Sequence, residues 1–452
     1  MLCCGIVADA RGDVLRGLQV AETACGITTQ LTGEVLEVAK DMETRSYREP
    51  LGVVAAICPF SMISPKSDMY SSEVLIAALT PCPRLDFPAM IPLWSIPIAT
   101  IVGNTLVLKP SERDPGAAII IASLAKEAGF PPGVVNVIHG THRAVNFLLD
   151  APEIKAVSFV GSNKAGEYIH ARASANGKRV QANLGAKNHA IVLPDCNKQH
   201  ALSAIAGAAF GAAGQRCMAL SVVLFVGETK EWLPELVEIA KKLKVDAGFE
   251  DGADLGPVIS PHSKERIERL IASAEGKADI LLDGRGYKVE KYPNGNFVSV
   301  GSSILLFERV VANTAQVGPT VIANVTTDME CYREEIFGPV LITLSVPSLA
   351  EAISIVNANE YGNGVALFTN SGASAGYFQK NIEAGQVGIN VPIPVPLPMF
   401  SFTGNKRSVA GGGTSTFYGK PGLNFYTQTK TVTSLWRAED SNATAVNMPT
   451  HS

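Results

Sequence analysis

One cysteine stands on the run Gly211-Ala212-Ala213-Gly214-Gln215-Arg216-Cys217-Met218-Ala219, directly after an alanine-rich stretch of helical composition. Small residues there let backbone N–H groups converge on a thiolate, or on an oxyanion formed beside it. Cys217 so placed can attack a carbonyl carbon and hold the product as a thioester. That chemistry needs an acceptor for a hydride or an acyl group, and three further motifs bear on it.

Phe159-Val160-Gly161-Ser162-Asn163-Lys164-Ala165-Gly166 follows a β-branched run and opens a helical one, so unbonded N–H groups and the helix dipole near Ser162 favour a phosphate. Leu108-Lys109-Pro110-Ser111-Glu112-Arg113 closes another strand-like run with a cation and a carboxylate, a pair suited to ribose hydroxyls. Glu334-Glu335-Ile336-Phe337-Gly338-Pro339 sets the carboxylate Glu335 and the aromatic Phe337 beside a Gly-Pro turn, where they can anchor a nicotinamide and its ribose. Each motif alone has a plainer reading, as a strand-to-helix connection, a solvated turn and a buried strand entry. The first two, set at the carboxyl ends of neighbouring parallel strands, together support a dinucleotide site.

The elements that must position these residues read as an α/β chain. Val53 to Ile57, Thr105 to Leu108, Val134 to Ile138 and Ala156 to Val160 are short and apolar, and they alternate with helical segments Asp114 to Gly129 and Asn163 to Ala173. A second series runs from about Gln199 to Gln386, with amphipathic segments Trp232 to Leu243 and Ser263 to Ala274. Alternation of this kind builds parallel sheets, so two stacked domains are expected. Tyr47 with its upstream neighbours, and Asn424 to Trp436, alternate Thr, Tyr and Val like exposed strands able to pair with another element or subunit.

The chain has 452 residues, 46% of them hydrophobic and 18% charged, enough for two or three well-formed cores and little disorder. A net charge of −4 offers no field for nucleic acid, and no Lys/Arg block or long apolar run marks a membrane partner. Eight cysteines without CxxC spacing argue against a disulfide framework and against a metal site. The start, Met1-Leu2-Cys3-Cys4-Gly5, has no recognisable presequence.

Taken in order, Pro59-Phe60, Lys109-Pro-Ser-Glu112, Phe159-Val-Gly-Ser162, Gly214-Gln-Arg-Cys217 and Glu335-Ile-Phe-Gly-Pro339 resemble the aldehyde dehydrogenase superfamily. Asn183-Leu184-Gly185-Ala186-Lys187-Asn188-His189 and Asn390-Val-Pro-Ile-Pro-Val-Pro-Leu-Pro-Met399 resemble its CoA-acylating, semialdehyde-oxidising branch. The resemblance implies an α/β fold with a Rossmann-type NAD-binding domain, an α/β catalytic domain and a small β element for oligomerisation. It implies the boundaries 1–185 for the NAD domain, with oligomerisation strands near 30–48, then 186–390 for the catalytic domain. Residues 391–452 would return to the NAD domain and end in an oligomerisation strand.

The roles it implies are specific. Cys217 is the nucleophile. Lys109 and Glu112 hold the adenosine ribose, Phe60, Arg113, Ser162 and Leu184 lie elsewhere along NAD, and Glu335 and Phe337 position the nicotinamide end. Arg16 and Arg216 bind the substrate carboxylate, for which planar guanidinium groups are suited. Hydrolytic relatives carry a glutamate where this chain has Asn183, so CoA rather than water would be the acyl acceptor. The implied reaction oxidises methylmalonate or malonate semialdehyde, loses carbon dioxide or bicarbonate, and yields propionyl-CoA or acetyl-CoA, as in valine and pyrimidine catabolism. A homo-oligomer, a tetramer by resemblance, and a mitochondrial location are implied too, with a cytoplasmic one the alternative.

Three departures from the family pattern bear on activity. Ser61 to Asp86 separates Pro59-Phe60 from Phe87-Pro88 and puts Ser61 or Asp86 where an asparagine would donate to the oxyanion. Loss of one such donor costs about 10²–10³ in rate. A second extra segment is read near Ser299 to Gln316, and family members carry further elements before Asp9. Their lack would uncover apolar surface and lower stability. The alternative reading is therefore a catalytically impaired subunit that binds NAD or oligomerises without turnover.

Overall fold

Val54 and Ala56 point to one side of their strand and Ala55 and Ile57 to the other, and all four are buried. A strand apolar on both faces belongs inside a parallel sheet covered by helices on both sides. In the computed structural model, which describes residues 6–59, 88–287, 289, 291–292, 316–412 and 417–436, that is its position. Its sheet has five parallel strands in the order Val135–Val137, Thr105–Lys109, Val53–Ile57, Ile154–Val160 and Arg179–Asn183. The chain builds outward from Val53–Ile57 to one side, then returns to build outward on the other. The strand order therefore reverses between Val53–Ile57 and Ile154–Val160, the point at which open α/β sheets bind nucleotides.

A seven-stranded sheet follows in the order Asp279–Leu282, Thr320–Ala323, Val340–Val346, Leu220–Val226, Asn188–Val192, Gly364–Phe368 and Gln386–Ile389. Only the edge strand Asp279–Leu282 pairs antiparallel. Leu220–Val226 is an almost continuous apolar run, buried on both faces, and separate cores lie on either side of it. Four of its helices begin at polar caps that the sequence supplies: Asn197 accepts from His200 N–H, Ser260 from Ser263 N–H, Ser348 from Glu351 N–H and Ser371 from Ser374 N–H. Each cap contributes about 1 kcal/mol by satisfying an N–H that the helix cannot.

The two sheets are joined by Leu184 to Lys187. Arg179–Asn183 ends at the carboxyl edge of the first sheet and Asn188–Val192 starts at the amino edge of the second. Those two edges therefore face each other across the site. The sequence-expected strands and helices form, except that Asn424 and Phe425, expected in the last strand, end the helix Gly419–Phe425, and the strand is Thr427–Leu435. Val134 to Ile138 shortens to Val135–Val137, and Trp232 ends a 3-10 turn that leads into the first amphipathic helix, Leu233–Lys241.

The terminal strands also pair. Glu34–Ala39, Met42–Pro50 and Thr427–Leu435 make an antiparallel three-stranded sheet, on which Val35, Leu36 and Trp436 are exposed. Buried Asn104 ties this sheet to the body. Its oxygen accepts from Leu51 N–H at 2.8 Å and Gly52 N–H at 3.0 Å, and its amide donates to the carbonyls of Ala99 at 3.1 Å and Tyr426 at 2.9 Å. All four hydrogen-bonding positions of the side chain are filled, so truncation takes a partner from two N–H groups and two carbonyls, of which Ala99 keeps the Asn104 backbone N–H. We expect Asn104→Ala to lower unfolding stability by about 2–4 kcal/mol, read as a lower denaturation midpoint. Two or more buried hydrogen bonds lost without that shift would contradict this role.

Candidate active site between the facing sheet edges

The helix Lys198–Phe210 stops at Gly211, and the chain then takes three left-handed residues, Ala212 (φ 54°), Ala213 (φ 53°) and Gly214 (φ 66°). Two consecutive non-glycine residues in that region are costly and mark a turn held by its surroundings. Three contacts hold it. Gly214 packs so closely on the Gly338 carbonyl that a β-carbon would fall 2.1 Å from the oxygen. Asp9 accepts from Ala212 N–H at 3.0 Å and pairs with the Arg216 guanidinium. Beyond the turn, the carbonyl of Cys217 accepts from the amides of Asn188 at 2.8 Å and Asn363 at 2.9 Å.

Cys217, half-buried, faces a cavity of about 320 Å³. Arg16 and Arg216 line it, as do Asp9 and Asp13, while Trp94, Phe402 and Met218 contribute to its apolar wall. The structure therefore brings the nucleophile and both sequence-identified guanidinium groups to one chamber. Arg16 comes from the helix Val7–Cys25, on which Asp9, Asp13, Arg16 and Val20 share a face. Asp13 is buried and accepts from Ala89 and Met90 N–H, each at 3.1 Å, so it caps the helix Met90–Ile101 from outside. Burial pushes its carboxyl up to about 6, against the pull of those two N–H groups. Burial pushes the Tyr418 phenol up, nearby Cys217 adds to the rise and Arg16 opposes it.

Lys109, Glu112, Arg113, Ser162 and Leu184, which the sequence assigns to a cofactor, sit at or just beyond the carboxyl edge of the five-stranded sheet. Lys109 is fully buried, and its ammonium donates to the Pro110 carbonyl at 2.8 Å and to Glu112 at 3.1 Å. Ser111 Oγ accepts from Arg113 N–H, shaping that turn. Ser162 is the exposed N-cap of Asn163–Ala175, and its side chain makes no capping bond. The helix lies so close behind it that a β-carbon at Gly166 would meet Leu184 at 2.0 Å. Leu184 thus packs its side chain into the core, and its N–H is taken by the Ser408 carbonyl. Phe60 lies outside the described residues, as do Ser61 to Asp86 and nearly all of Ser299 to Gln316.

Glu335 is held from both ends. Its carboxylate accepts from Ala186 N–H at 2.9 Å, and its carbonyl accepts from Arg266 at 2.5 Å. A β-carbon on Gly185 would fall 2.3 Å from Asn163 Oδ1 and 2.8 Å from Glu335 Oε2, so only glycine leaves this cradle open. Burial raises the Glu335 carboxyl, opposed by the Ala186 N–H, Arg266 and Lys187. Phe337 beside it has φ 51°, strained for an aromatic residue. A reversal of strand order, a Lys-Glu pair, an uncapped helix start and this cradle fit a dinucleotide.

Sequence reasoning passed over Asp9, Asp13, Trp94, Phe402 and Tyr418. The two acids had a signal, the i, i+4, i+7 spacing with Arg16 on one helix; the aromatic residues come from distant segments and had none.

A Rossmann-ordered sheet facing a constrained cysteine loop defines a dinucleotide-linked oxidoreductase that works through a thiol. The chain belongs to the aldehyde dehydrogenase family, which matches residues 3–63 and 76–432. The unmatched stretch narrows the first extra segment to 64–75, and 299–316 lies within the second match. Over 98% of its length the chain is 54% identical to the mitochondrial methylmalonate-semialdehyde/malonate-semialdehyde dehydrogenase [acylating] of Bos taurus, covering 75% of it. Among solved structures, the methylmalonate-semialdehyde dehydrogenase of Oceanimonas doudoroffii is 42% identical, with a TM-score of 0.84 over 97% of this chain and 81% of that one. A Sinorhizobium meliloti chain assigned to the same activity and complexed with NAD is 39% identical, with a TM-score of 0.84 over 96% of this chain and 80% of that one.

Lys187 supplies a titration test of the site. It is buried, its ammonium donates to the carbonyls of Cys331 and Glu334, each at 2.6 Å, and burial lowers it to about 7. A base depressed in the folded state penalises folding below that value, and the penalty disappears as pH rises from about 7 towards the unfolded value. We expect Tm to rise across pH 7 to 9.5 more steeply in the native chain than in Lys187→Met. Parallel curves would contradict it.

Proposed function

We propose that this chain oxidises methylmalonate and malonate semialdehyde with NAD and passes the acyl group to CoA, giving propionyl-CoA or acetyl-CoA. The observation that carries this reading is the chamber in which Cys217 stands with Arg16 and Arg216. The Cys217 thiolate adds to the aldehyde carbon while the two guanidinium groups hold the substrate carboxylate. NAD held by Lys109 and Glu112, with Glu335 and Phe337 at its nicotinamide end, would supply the acceptor for the hydride that leaves that carbon. Cys217 is left as a thioester; the carboxylate departs as carbon dioxide or bicarbonate while a proton from solvent takes its place on the α carbon, and the CoA thiol then takes the acyl group as the Cys217 thiolate leaves.

Asn183 decides between CoA and water. It ends the strand Arg179–Asn183, is fully buried, and neither its oxygen nor its nitrogen has a hydrogen-bond partner among the described residues. An amide cannot take a proton from water as a carboxylate does, so deacylation by water loses about 10²–10⁴ in rate. Lys109, Glu112, Arg113, Ser162, Leu184 and Phe60 are proposed along NAD, with Glu335 and Phe337 at its nicotinamide end. Residues 1–185 and 391–452 are proposed as the NAD-binding domain and oligomerisation elements, and 186–390 as the catalytic domain. The exposed Val35 and Leu36 support assembly through the three-stranded sheet into a homo-oligomer, and the relatives' names support a mitochondrial location. The impaired-subunit reading is not favoured, since relatedness runs through 98% of the chain and the chamber keeps its nucleophile and both cations.

The test is NADH formation by the purified chain with NAD, CoA and methylmalonate semialdehyde. Cys217→Ala should lose at least about 10³ in rate. Arg216→Gln should raise KM for the semialdehyde about 10- to 100-fold, the worth of a charged hydrogen bond. A folded native chain with no activity above Cys217→Ala would overturn the proposal.

A further inference from the structure

The acids of the chamber are as informative as its cations. Arg216 is fixed on two sides: a β-carbon on Gly211 would lie 3.0 Å from its Nη atoms, and Asp9 pairs with the guanidinium on another side. The second Asp9 oxygen is engaged by Ala212 N–H at 3.0 Å. Both side chains of the pair are largely screened from water, with exposures of 20% for Arg216 and 14% for Asp9. A substrate carboxylate entering between Arg16 and Arg216 thus meets a guanidinium that already has a carboxylate partner. Asp13 adds a second acid to the same wall, with its oxygens committed to Ala89 and Met90 N–H.

We propose that Asp9 determines specificity by competing with the substrate carboxylate for Arg216. The inference rests on the reading that Arg16 and Arg216 hold that carboxylate. Opposite charge favours binding and a nearby like charge opposes it, so Asp9 weakens the grip on every acidic aldehyde and leaves a neutral aldehyde's contacts with the apolar wall alone. It also keeps Arg216 placed between substrates, because the guanidinium never loses its partner in the empty chamber. The chamber's balance of two acids and two guanidinium groups suits a carboxylate that must be held and then let go.

The test compares KM for malonate semialdehyde with KM for propionaldehyde, each with saturating NAD and CoA. Asp9→Asn and Asp9→Ser both retain an oxygen to accept from Ala212 N–H while removing the charge. Each should raise the ratio of KM for propionaldehyde to KM for malonate semialdehyde by about threefold or more, the effect of one partly screened charge. Adding Arg216→Gln to Asp9→Asn should abolish that gain. A purely structural role for Asp9 raises both KM values together and leaves the ratio unchanged, and an unchanged or lower ratio in both variants overturns the proposal. If Arg216→Gln by itself leaves the ratio where it is, the carboxylate reading fails instead, so the two failures are distinct.

Discussion

The clamp on the Cys217 carbonyl is the constraint on which the rest of the site depends. Asn188 and Asn363 both donate to that oxygen, and Asn188 also donates to Ala219 and accepts from Gly364 N–H at 3.0 Å. One side chain thereby stitches three neighbouring strands of the seven-stranded sheet at their amino edge, where the nucleophile enters. A fixed carbonyl fixes the adjoining peptide units, and those units aim the thiol and its neighbouring N–H groups. Pre-set geometry of that kind is what makes an oxyanion site effective, since no reorganisation is needed during reaction.

From that clamp the remaining geometry follows outward. The left-handed turn at Ala212 to Gly214 can exist only if its cost is met elsewhere, and the contacts with Gly338 and Asp9 meet it. The Gly338 contact joins the nucleophile loop to the Glu335 segment, while Ala186 and Lys187 join that segment to the link between the sheets. The Cys217 loop, the Glu335 segment and the inter-sheet link are therefore one mechanical unit. A shift in any one would move the thiol relative to the hydride acceptor, and near-attack geometry tolerates little of that.

Much of this was legible in the sequence because local rules act there. Alternating apolar runs and helices produced both sheets, and strand-end motifs such as Lys109-Pro-Ser-Glu112 lie at the carboxyl edge of the five-stranded sheet. The chamber's cations were reachable through motif order, since Arg216 adjoins Cys217. What was hidden depends on long-range packing. Trp94 and Phe402 on the chamber wall, and Tyr418 packed against both, come from segments far apart in the chain, and no local pattern announces them. Asp9 and Asp13 were visible as polar positions on a helix, but only the approach of the nucleophile loop and of Met90 gives them partners. Leu184 shows the reverse case, a motif residue whose side chain the fold spends on packing against Gly166.

The central claim is that Cys217 carries an acyl thioester which CoA, and not water, removes. Rapid mixing of the enzyme with NAD and malonate semialdehyde tests it most directly when CoA is withheld. A burst of about one NADH per Cys217 is expected, followed by turnover slower by about 10² or more until CoA is added. Equal steady rates with and without CoA would contradict it, because water would then be clearing the thioester despite Asn183.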